Sequence, residues 1–484
     1  MTNKIKNIVF KNFIINAFGI LFSRILGLIR DIILALFLGV GIYSDIFFVA
    51  IKLPAFFRRI FAEGAFGQSF LPNFSSSKKK GAFVWAVLIQ FGIIVFLFCV
   101  LVSFFSSFFT KIFAFGFNTD TIKMAAPLVA INFWYLFFIF LVTLLGAILN
   151  YGHKFFITSF SSSFFNLCIV IAAFFVDKNE PQKSLYYFSY AIVLSGVAQL
   201  ILHLIVLKNN LVIKAIFLSI KLKKTKTNLK KFYNNFFHGV LGSSATQLST
   251  LLDTTIASFL ITGSISYLYY ANRIFQLPLA LFAIALTQVS FPKILKYIKS
   301  KQEDLALIFM KRALEFLSLS LILASIIAII FSNEICKILF ERGNFTLNDT
   351  RLTAYVLIAY MVGLLPFGLQ KLLSLWFYAK SKQKIAAIIA IKSLFLALIF
   401  SIVCILLIKD NELKVIAVAL SSSVSALYLL GANIKEFGTK TFFDMFEVKK
   451  IIYAIIFLAI FTYFLYIFKN YIVEFIINIY NFFI

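Results

Sequence analysis

The chain has 484 residues, of which 62% are hydrophobic and 13% are charged, and its formal net charge is +27. A soluble domain would carry about twice that charged fraction, so the composition excludes an ordinary soluble protein and predicts an all-α polytopic membrane protein. The basic excess does not indicate a nucleic-acid partner. The lysines fall mostly in short loops between apolar segments, which is the positive-inside pattern of membrane proteins.

The first apolar segment follows a basic N-terminus and runs through Arg24, Arg30 and Asp31 without a small-residue cleavage site. We therefore interpret it as an uncleaved helix and not as a signal peptide. A membrane span needs about 20 predominantly apolar residues. The predicted spans cover 13–38, 43–71, 82–110, 122–150, 155–176, 184–207, 234–261, 265–292, 305–331, 350–378, 384–408, 413–434 and 451–468. A final stretch, 471–484, is short for a full span, so the predicted total is 13 or 14.

The loops between these spans alternate in charge. Lysine-rich loops, such as 78–80 and 221–231, alternate with acidic or balanced loops, such as DKNEP and ERGNFTLNDT. Cytoplasmic loops of membrane proteins carry the excess of lysine and arginine. We therefore expect the lysine-rich loops, and the N-terminus with them, to lie in the cytoplasm.

The longest lysine-rich connection, 209–233, divides the chain into two sets of six spans. It predicts an N-terminal lobe at 1–208, a C-terminal lobe at 234–435, and additional helices 13 and 14 within 449–484. The connection is either an amphipathic helix on the membrane surface or a solvated basic linker. Two six-helix lobes joined in this way are a common transporter plan, with substrate bound between the lobes near mid-membrane.

Charged side chains within the spans are candidates for function, because each is costly to insert into a membrane. The candidates are Arg24, Arg30 and Asp31 in span 1, Asp45, Lys52, Arg58, Arg59 and Glu63 in span 2, and Arg273 in span 8. More arginines than acids remain after pairing, which indicates an anionic ligand, and the planar guanidinium suits phosphate or carboxylate.

The alternative interpretation of these charges is structural ion pairing. It would join Arg24 to Asp31, Arg59 to Glu63 and Lys52 to Asp45. This interpretation leaves Arg30, Arg58 and Arg273 with no obvious partner nearby in the sequence.

Span 7 carries a polar stripe at helical spacing, formed by Ser243, Thr246, Thr250 and Asp253. The stripe either makes hydrogen bonds between helices or provides a cation or proton site at Asp253. Scattered cysteines and histidines indicate neither a disulfide framework nor a metal site. No catalytic motif is visible, so we expect a protein that is not an enzyme and has no cofactor. Energy would then come from a Na⁺ or H⁺ gradient or from the membrane potential.

Four stretches occur in order along the chain: SRILGLIRD, DIFFVAIKLPAFFRRIFAEGAFGQSFLP, YYANRIFQLP and LFERGNFTLNDT. Together they resemble the MurJ (MviN) lipid II flippases of the MOP exporter superfamily. The resemblance implies two six-helix lobes around a central cationic cavity, with helices 13 and 14 forming a lipid groove. It also implies alternating-access movement of lipid II to the periplasmic leaflet of the bacterial inner membrane for cell wall synthesis.

By motif position, the resemblance assigns pyrophosphate binding to Arg24, Arg30, Arg58 and Arg273. It makes Asp31, Asp45 and Glu63 their acidic partners. The implied partners are lipid II, membrane lipids and other cell-wall synthesis proteins. The alternative within the superfamily is an exporter of drugs or of another polyprenyl-linked oligosaccharide.

Overall fold

The computed structural model of the protein describes residues 3–59, 65–152, 154–177, 179–221, 227–445 and 448–483. These ranges fold into helices joined by short turns, and they contain no strand. A helix satisfies its own backbone hydrogen bonds, which is what an apolar segment needs inside a bilayer. The predicted all-α polytopic class is confirmed.

The first compact unit comprises Met1–Ile265 and Arg342–Phe345. Its helices are α1 (Asn3–Leu38), α2 (Ile42–Arg58), α3 (Ala65–Ser76), α4 (Lys80–Phe104), α5 (Ser106–Phe113), α6 (Thr119–Tyr151), α7 (Phe155–Ser161), α8 (Ser163–Ala172), α9 (Pro181–Leu207), α10 (Leu211–Lys221) and α11 (Lys230–Ala257). The centre of the unit is α6, which packs against α2, α4 and α9. Aromatic rings fill much of this core, for example where Phe66 contacts Phe91 and Phe140.

The second compact unit comprises Ser266–Glu341 and Thr346–Ile484. Its helices are α12 (Ser264–Pro278), a π-helical segment (Leu279–Ile284), α13 (Ala285–Lys299), α14 (Glu303–Ile330), α15 (Ser332–Phe340), α16 (Leu347–Val362), α17 (Leu364–Ala379), α18 (Gln383–Leu407), α19 (Lys414–Phe437), α20 (Thr439–Asp444) and α21 (Val448–Phe483). The first two residues of α12 belong to the first unit. In this unit α19 packs against α16, α17 and α18.

Nine helical segments in the described ranges are long and apolar enough to cross a membrane. They are Lys80–Phe104, Thr119–Tyr151, Phe156–Phe175, Pro181–Leu207, Ser264–Lys299, Glu303–Ile330, Leu347–Ala379, Gln383–Leu407 and Lys414–Phe437. The other predicted spans, apart from 471–484, fall on α1, on α2 with α3, on α11 and on α21. Every predicted span as far as 451–468 therefore contains a helix.

The C-terminal segment differs from the prediction of separate helices 13 and 14. Residues 451–468 and 471–483 belong to one continuous helix, α21. The prediction separated them at Lys469, but a charged residue does not end a helix, and 448–483 contains neither glycine nor proline. Lys469 Nζ instead bonds Glu334 Oε1 at 2.9 Å and the Ile330 carbonyl at 2.9 Å. The predicted lipid groove remains a prediction.

The sequence left open whether the connection 209–233 is a helix or a solvated linker. The first half of 209–233 forms a helix, α10, which packs against α4. The compact units divide between Ile265 and Ser266, beyond the linker, and α11 packs against α3 in the first unit. Aromatic rings contribute to this packing, because Phe232 of α11 contacts Phe66 of α3 and Phe91 of α4.

Candidate functional site

Arg30 of α1 is fixed in a buried polar cluster. Its side chain donates from Nε and Nη2 to Asp31 Oδ1, at 3.0 Å and 2.6 Å. Its Nη1 donates to Asn166 Oδ1 at 2.9 Å, and the Phe165 ring centroid lies 5.5 Å from the guanidinium carbon. Arg30 is 5% exposed and Asp31 is 2% exposed. The cluster therefore holds the Arg30 guanidinium, compensated by the Asp31 carboxylate, in a defined orientation within an apolar helix.

The ion pair in this cluster differs from the one that helical spacing suggested. The structural alternative paired Arg24 with Asp31, seven residues apart on one face. Instead, the described structure gives Asp31 an ion pair with its neighbour Arg30, and Arg24 is exposed. Adjacent residues point in different directions on a helix, but the long arginine side chain turns back to reach the carboxylate. The expectation that Arg30 has no partner nearby in the sequence was therefore wrong.

Lys52 of α2 forms a second polar contact within the first unit. Its Nζ donates a hydrogen bond to Thr254 Oγ1 on α11. The carboxylates of Asp45 and Asp253 both lie within electrostatic range of this ammonium group. Asp45 Oδ2 also accepts a hydrogen bond of 2.6 Å from the Gly263 amide. The chain thus supplies its own cation within electrostatic range of Asp253, the residue predicted as a candidate ion site.

The remaining charged candidates of α2 vary in exposure. Arg58 is half-buried and Arg59 is exposed. Glu63 lies outside the described residues, so the predicted pairing of Arg59 with Glu63 remains a prediction.

Arg273 of α12 belongs to the second unit and is half-buried. Its Nη2 donates to the Tyr269 hydroxyl at 3.2 Å, and the same tyrosine ring lies 5.3 Å from its guanidinium carbon. Tyr269 precedes Arg273 by four residues, the spacing at which helical side chains meet. Asn272, close to this arginine, accepts a hydrogen bond from Gln276 one turn further on.

The polar stripe of span 7 is described only in part. The side chains of Ser243 and Thr246 lie outside the described residues, Thr250 is exposed and Asp253 is half-buried. Within the described part of the chain, no group of three or more histidine, cysteine, aspartate or glutamate side chains is arranged to hold a metal ion.

Two residues that contact Arg30 were missed by the sequence analysis. Asn166 and Phe165 come from α8, more than 130 residues away along the chain. The available signal was an asparagine inside the apolar run SFFNLCIVIA. Its polarity marks it as unusual within a span, but nothing in the sequence indicates that it faces α1.

The C-terminal end of α1 is capped by the loop Arg342–Phe345, from the ERGNFTLNDT stretch. The backbone amide of Asn344 donates to the Leu36 carbonyl at 3.0 Å, and its side-chain Nδ2 donates to the Phe37 carbonyl at 2.7 Å. The last carbonyls of a helix have no partner within the helix, so this loop satisfies them.

Two glycines permit this close approach. Gly39 and Gly343 have φ of 57° and 59°, the left-handed region that glycine adopts readily. A Cβ at Gly39 would lie 2.1 Å from the Asn344 carbonyl oxygen, and one at Gly343 would lie 2.4 Å from the Leu36 carbonyl oxygen. Both positions therefore require glycine.

The helical fold is shared with known membrane transporters. One solved structure, titled as an inward-facing multidrug resistance MATE family transporter of the MOP superfamily, matches with a TM-score of 0.65. The match covers 85% of this chain and 94% of that structure, at 15% sequence identity. This likeness shows the fold alone, so the chain has the helical fold of that structure. The chain is a multi-pass membrane protein.

The family follows from closer similarities. The family model for lipid II flippase MurJ matches residues 34–482. A Helicobacter pylori protein (strain ATCC 700392 / 26695) named probable lipid II flippase MurJ is 48% identical over 436 residues, covering 87% of this chain and 93% of the relative. A Haemophilus influenzae protein with the same name is 31% identical over 471 residues, covering 90% and 88%.

A solved structure of a lipid II flippase MurJ supports the same family assignment. The structure titled lipid II flippase MurJ, inward closed conformation, matches with a TM-score of 0.76 at 26% identity. The match covers 95% of this chain and 99% of that structure. The chain belongs to the lipid II flippase MurJ family.

Proposed function

We propose that this protein is a lipid II flippase. It moves the undecaprenyl-pyrophosphate-linked peptidoglycan precursor from the cytoplasmic to the periplasmic leaflet of the bacterial inner membrane. The observation that carries the proposal is the match of the MurJ family model to residues 34–482. The charge distribution agrees with it, because the spans hold several arginines and the proposed substrate is anionic at its pyrophosphate.

Four arginines bind the pyrophosphate in this proposal: Arg24, Arg30, Arg58 and Arg273. Arginine suits this task because its planar donors match phosphate oxygens and its charge persists at every physiological pH. Asp31 fixes the orientation of Arg30. The other charged candidates, Asp45, Lys52, Arg59 and Glu63, support the binding residues by balancing charge.

Transport proceeds by alternating access, with the substrate site opening first to the cytoplasm and then to the periplasm. The driving force is the membrane potential or a Na⁺ or H⁺ gradient. The ammonium group of Lys52 lies within electrostatic range of Asp253, so a coupling cation at Asp253 would have to compete with it. This arrangement favours the membrane potential over a sodium ion bound at Asp253. The lysine-rich loops and the N-terminus lie in the cytoplasm.

The test uses cells whose growth depends on this protein and in which it can be depleted. An enzyme that cleaves lipid II is added from outside, and the released headgroup is quantified. Depletion should abolish the release because lipid II then stays in the cytoplasmic leaflet. The wild-type gene should restore the release, whereas Arg58→Ala should not.

The matched control is Arg351→Ala. Arg351 is exposed and contacts Tyr355 on its own helix, and it is not among the residues proposed to bind substrate. This variant should restore the release fully. If growth stops on depletion while release continues, the protein has another essential role and the proposal is wrong.

A further inference from the structure

Asn166 of α8 bridges two turns of α1 with one side-chain amide. Its Oδ1 accepts from Arg30 Nη1 at 2.9 Å, and its Nδ2 donates to the Ser23 carbonyl at 2.9 Å. The side chain is 7% exposed. Both ends of the amide are therefore occupied, in a setting where a lost hydrogen bond is expensive.

The surface of α1 is shaped to receive this amide. Ser23, Gly27 and Arg30 are three or four residues apart in turn, so they lie on one face of the helix. Asn166 Nδ2 lies 3.4 Å from the point where a Cβ on Gly27 would stand. The small residue between the two contacts lets the amide lie against the helix backbone. A neighbouring contact supports the same approach, because Ser162 Oγ donates to Ser23 Oγ at 3.0 Å.

We propose that Asn166 is a positioning residue for pyrophosphate binding, which acts by holding the Arg30 guanidinium in its binding orientation. The inference rests on the proposed function, since it gives Arg30 a role in binding the substrate. Asp31 fixes one edge of the guanidinium through Nε and Nη2, and Asn166 fixes Nη1. Asn166 thus adds a restraint on the third nitrogen, so that all three nitrogens of the guanidinium are held.

The chemistry at position 166 requires an amide. The Arg30 Nη1 group donates to an acceptor, and the Ser23 carbonyl, which has two lone pairs, accepts a hydrogen bond from a donor. Leucine is close in size and supplies neither. Aspartate supplies the acceptor, but it loses the donor and adds a second negative charge beside Arg30. The two substitutions therefore perturb the same contact in different ways.

The test is a double-mutant cycle on lipid II binding by the purified full-length protein. The affinities of wild type, Arg30→Ala, Asn166→Leu and the double variant are compared. Asn166→Leu alone should weaken binding about tenfold or more, the effect of losing a hydrogen bond to a charged group. In the Arg30→Ala background, Asn166→Leu should add less than about a twofold loss, because Asn166 acts through Arg30.

Several outcomes would overturn the inference. Losses that multiply in the double variant would show that Asn166 only packs α8 against α1. Wild-type affinity in Asn166→Leu would show that Arg30 needs no second restraint. If Asn166→Leu does not fold, Asn166→Asp takes its place in the cycle, with at least the same loss expected. Wild-type affinity in that variant would equally refute the proposal.

Two controls separate this inference from the proposed function. Asn73→Leu makes the same substitution at another buried asparagine, whose Nδ2 bonds Ser69 in its own helix, and it should leave binding unchanged. If wild type binds lipid II no better than a neutral polyprenol, the proposed function fails and the inference fails with it. If wild type binds and Arg30→Ala does not, while Asn166→Leu binds normally, only the inference fails.

Discussion

Arg30 and Arg273 are both arginines within apolar helices, but the described structure holds them in different ways. Arg30 is buried and bonded to a side chain from another helix, Asn166 on α8, as well as to its neighbour Asp31. Arg273 is half-buried and contacts Tyr269, one turn away on its own helix. The difference teaches that two residues of one type, assigned one role by motif, can have contacts of different kinds, since a side chain from another helix bonds Arg30 and Tyr269 of the same helix bonds Arg273.

The comparison predicts its largest effect at Asp31. Asp31→Asn removes the charge that compensates a buried guanidinium, and breaking a buried ion pair in this way costs about 3 to 5 kcal/mol. We expect a much lower melting temperature for the purified variant in detergent. Glu180→Gln is the control, because it breaks an ion pair with Lys183 whose two side chains are exposed. If the variant Asp31→Asn were as stable as wild type, the buried ion pair would not be what stabilises Arg30.

A second prediction concerns the capped end of α1. Gly39→Ala forces a side chain into the left-handed region, which costs about 1 to 2 kcal/mol, and it adds a clash with the Asn344 carbonyl. We expect the free energy of unfolding to fall by about 2 kcal/mol or more. Gly41→Ala is the matched control. Gly41 has an extended φ of 167°, and nothing lies within 4 Å of its Cβ position. Equal effects in the two variants would contradict the assignment of the loop as a cap.

Tyr269→Phe tests the second arginine directly. The variant keeps the ring beside Arg273 and removes only the hydroxyl acceptor. A hydrogen bond from a charged group contributes about 1.5 to 3 kcal/mol, and half-burial places this one at the low end, so the expected loss of stability is below that of Asp31→Asn. Chemical denaturation of the two purified variants under the same conditions measures the contrast. A loss in Tyr269→Phe that matched Asp31→Asn would show that the within-helix contact is equally important.

The smallest effect should occur at Lys469, where α21 contacts α15. Its ion pair with Glu334 joins two distant parts of the chain, but the two side chains remain 30% and 21% exposed. Pairs with this solvent access contribute about 0 to 1 kcal/mol. We therefore expect Glu334→Gln to lower the melting temperature only slightly. A large decrease would show that separation along the chain, and not burial, decides the strength of these contacts.

Much of the fold could be predicted from the sequence, because membrane spans are encoded locally. Apolar runs of about 20 residues predicted a helix at each position from 13–38 to 451–468. The predicted break within 448–483 was wrong because a lysine interrupts hydropathy without interrupting helix geometry. The chain therefore gives clear information on where helices lie and weaker information on where they stop.

The residues of the candidate site also differ in how far the sequence could predict them. The charged residues of α1 and α2 were identified because charge is rare and conspicuous in an apolar segment. Their partners were not. Asn166 reaches Arg30 and Thr254 reaches Lys52 only through the packing of helices far apart in the chain. Spacing rules apply within one helix, so they cannot predict these contacts.

The cap on α1 also has a consequence for the order in which the protein is made. The carbonyl of Phe37 receives its hydrogen bond from a residue 307 positions later. A ribosome completes the helix early, but the residue that closes its end emerges only after most of the chain has been synthesised. During that interval the terminal carbonyls of α1 must be satisfied by water or by another partner. One of the first helices to form is thus among the last to be finished.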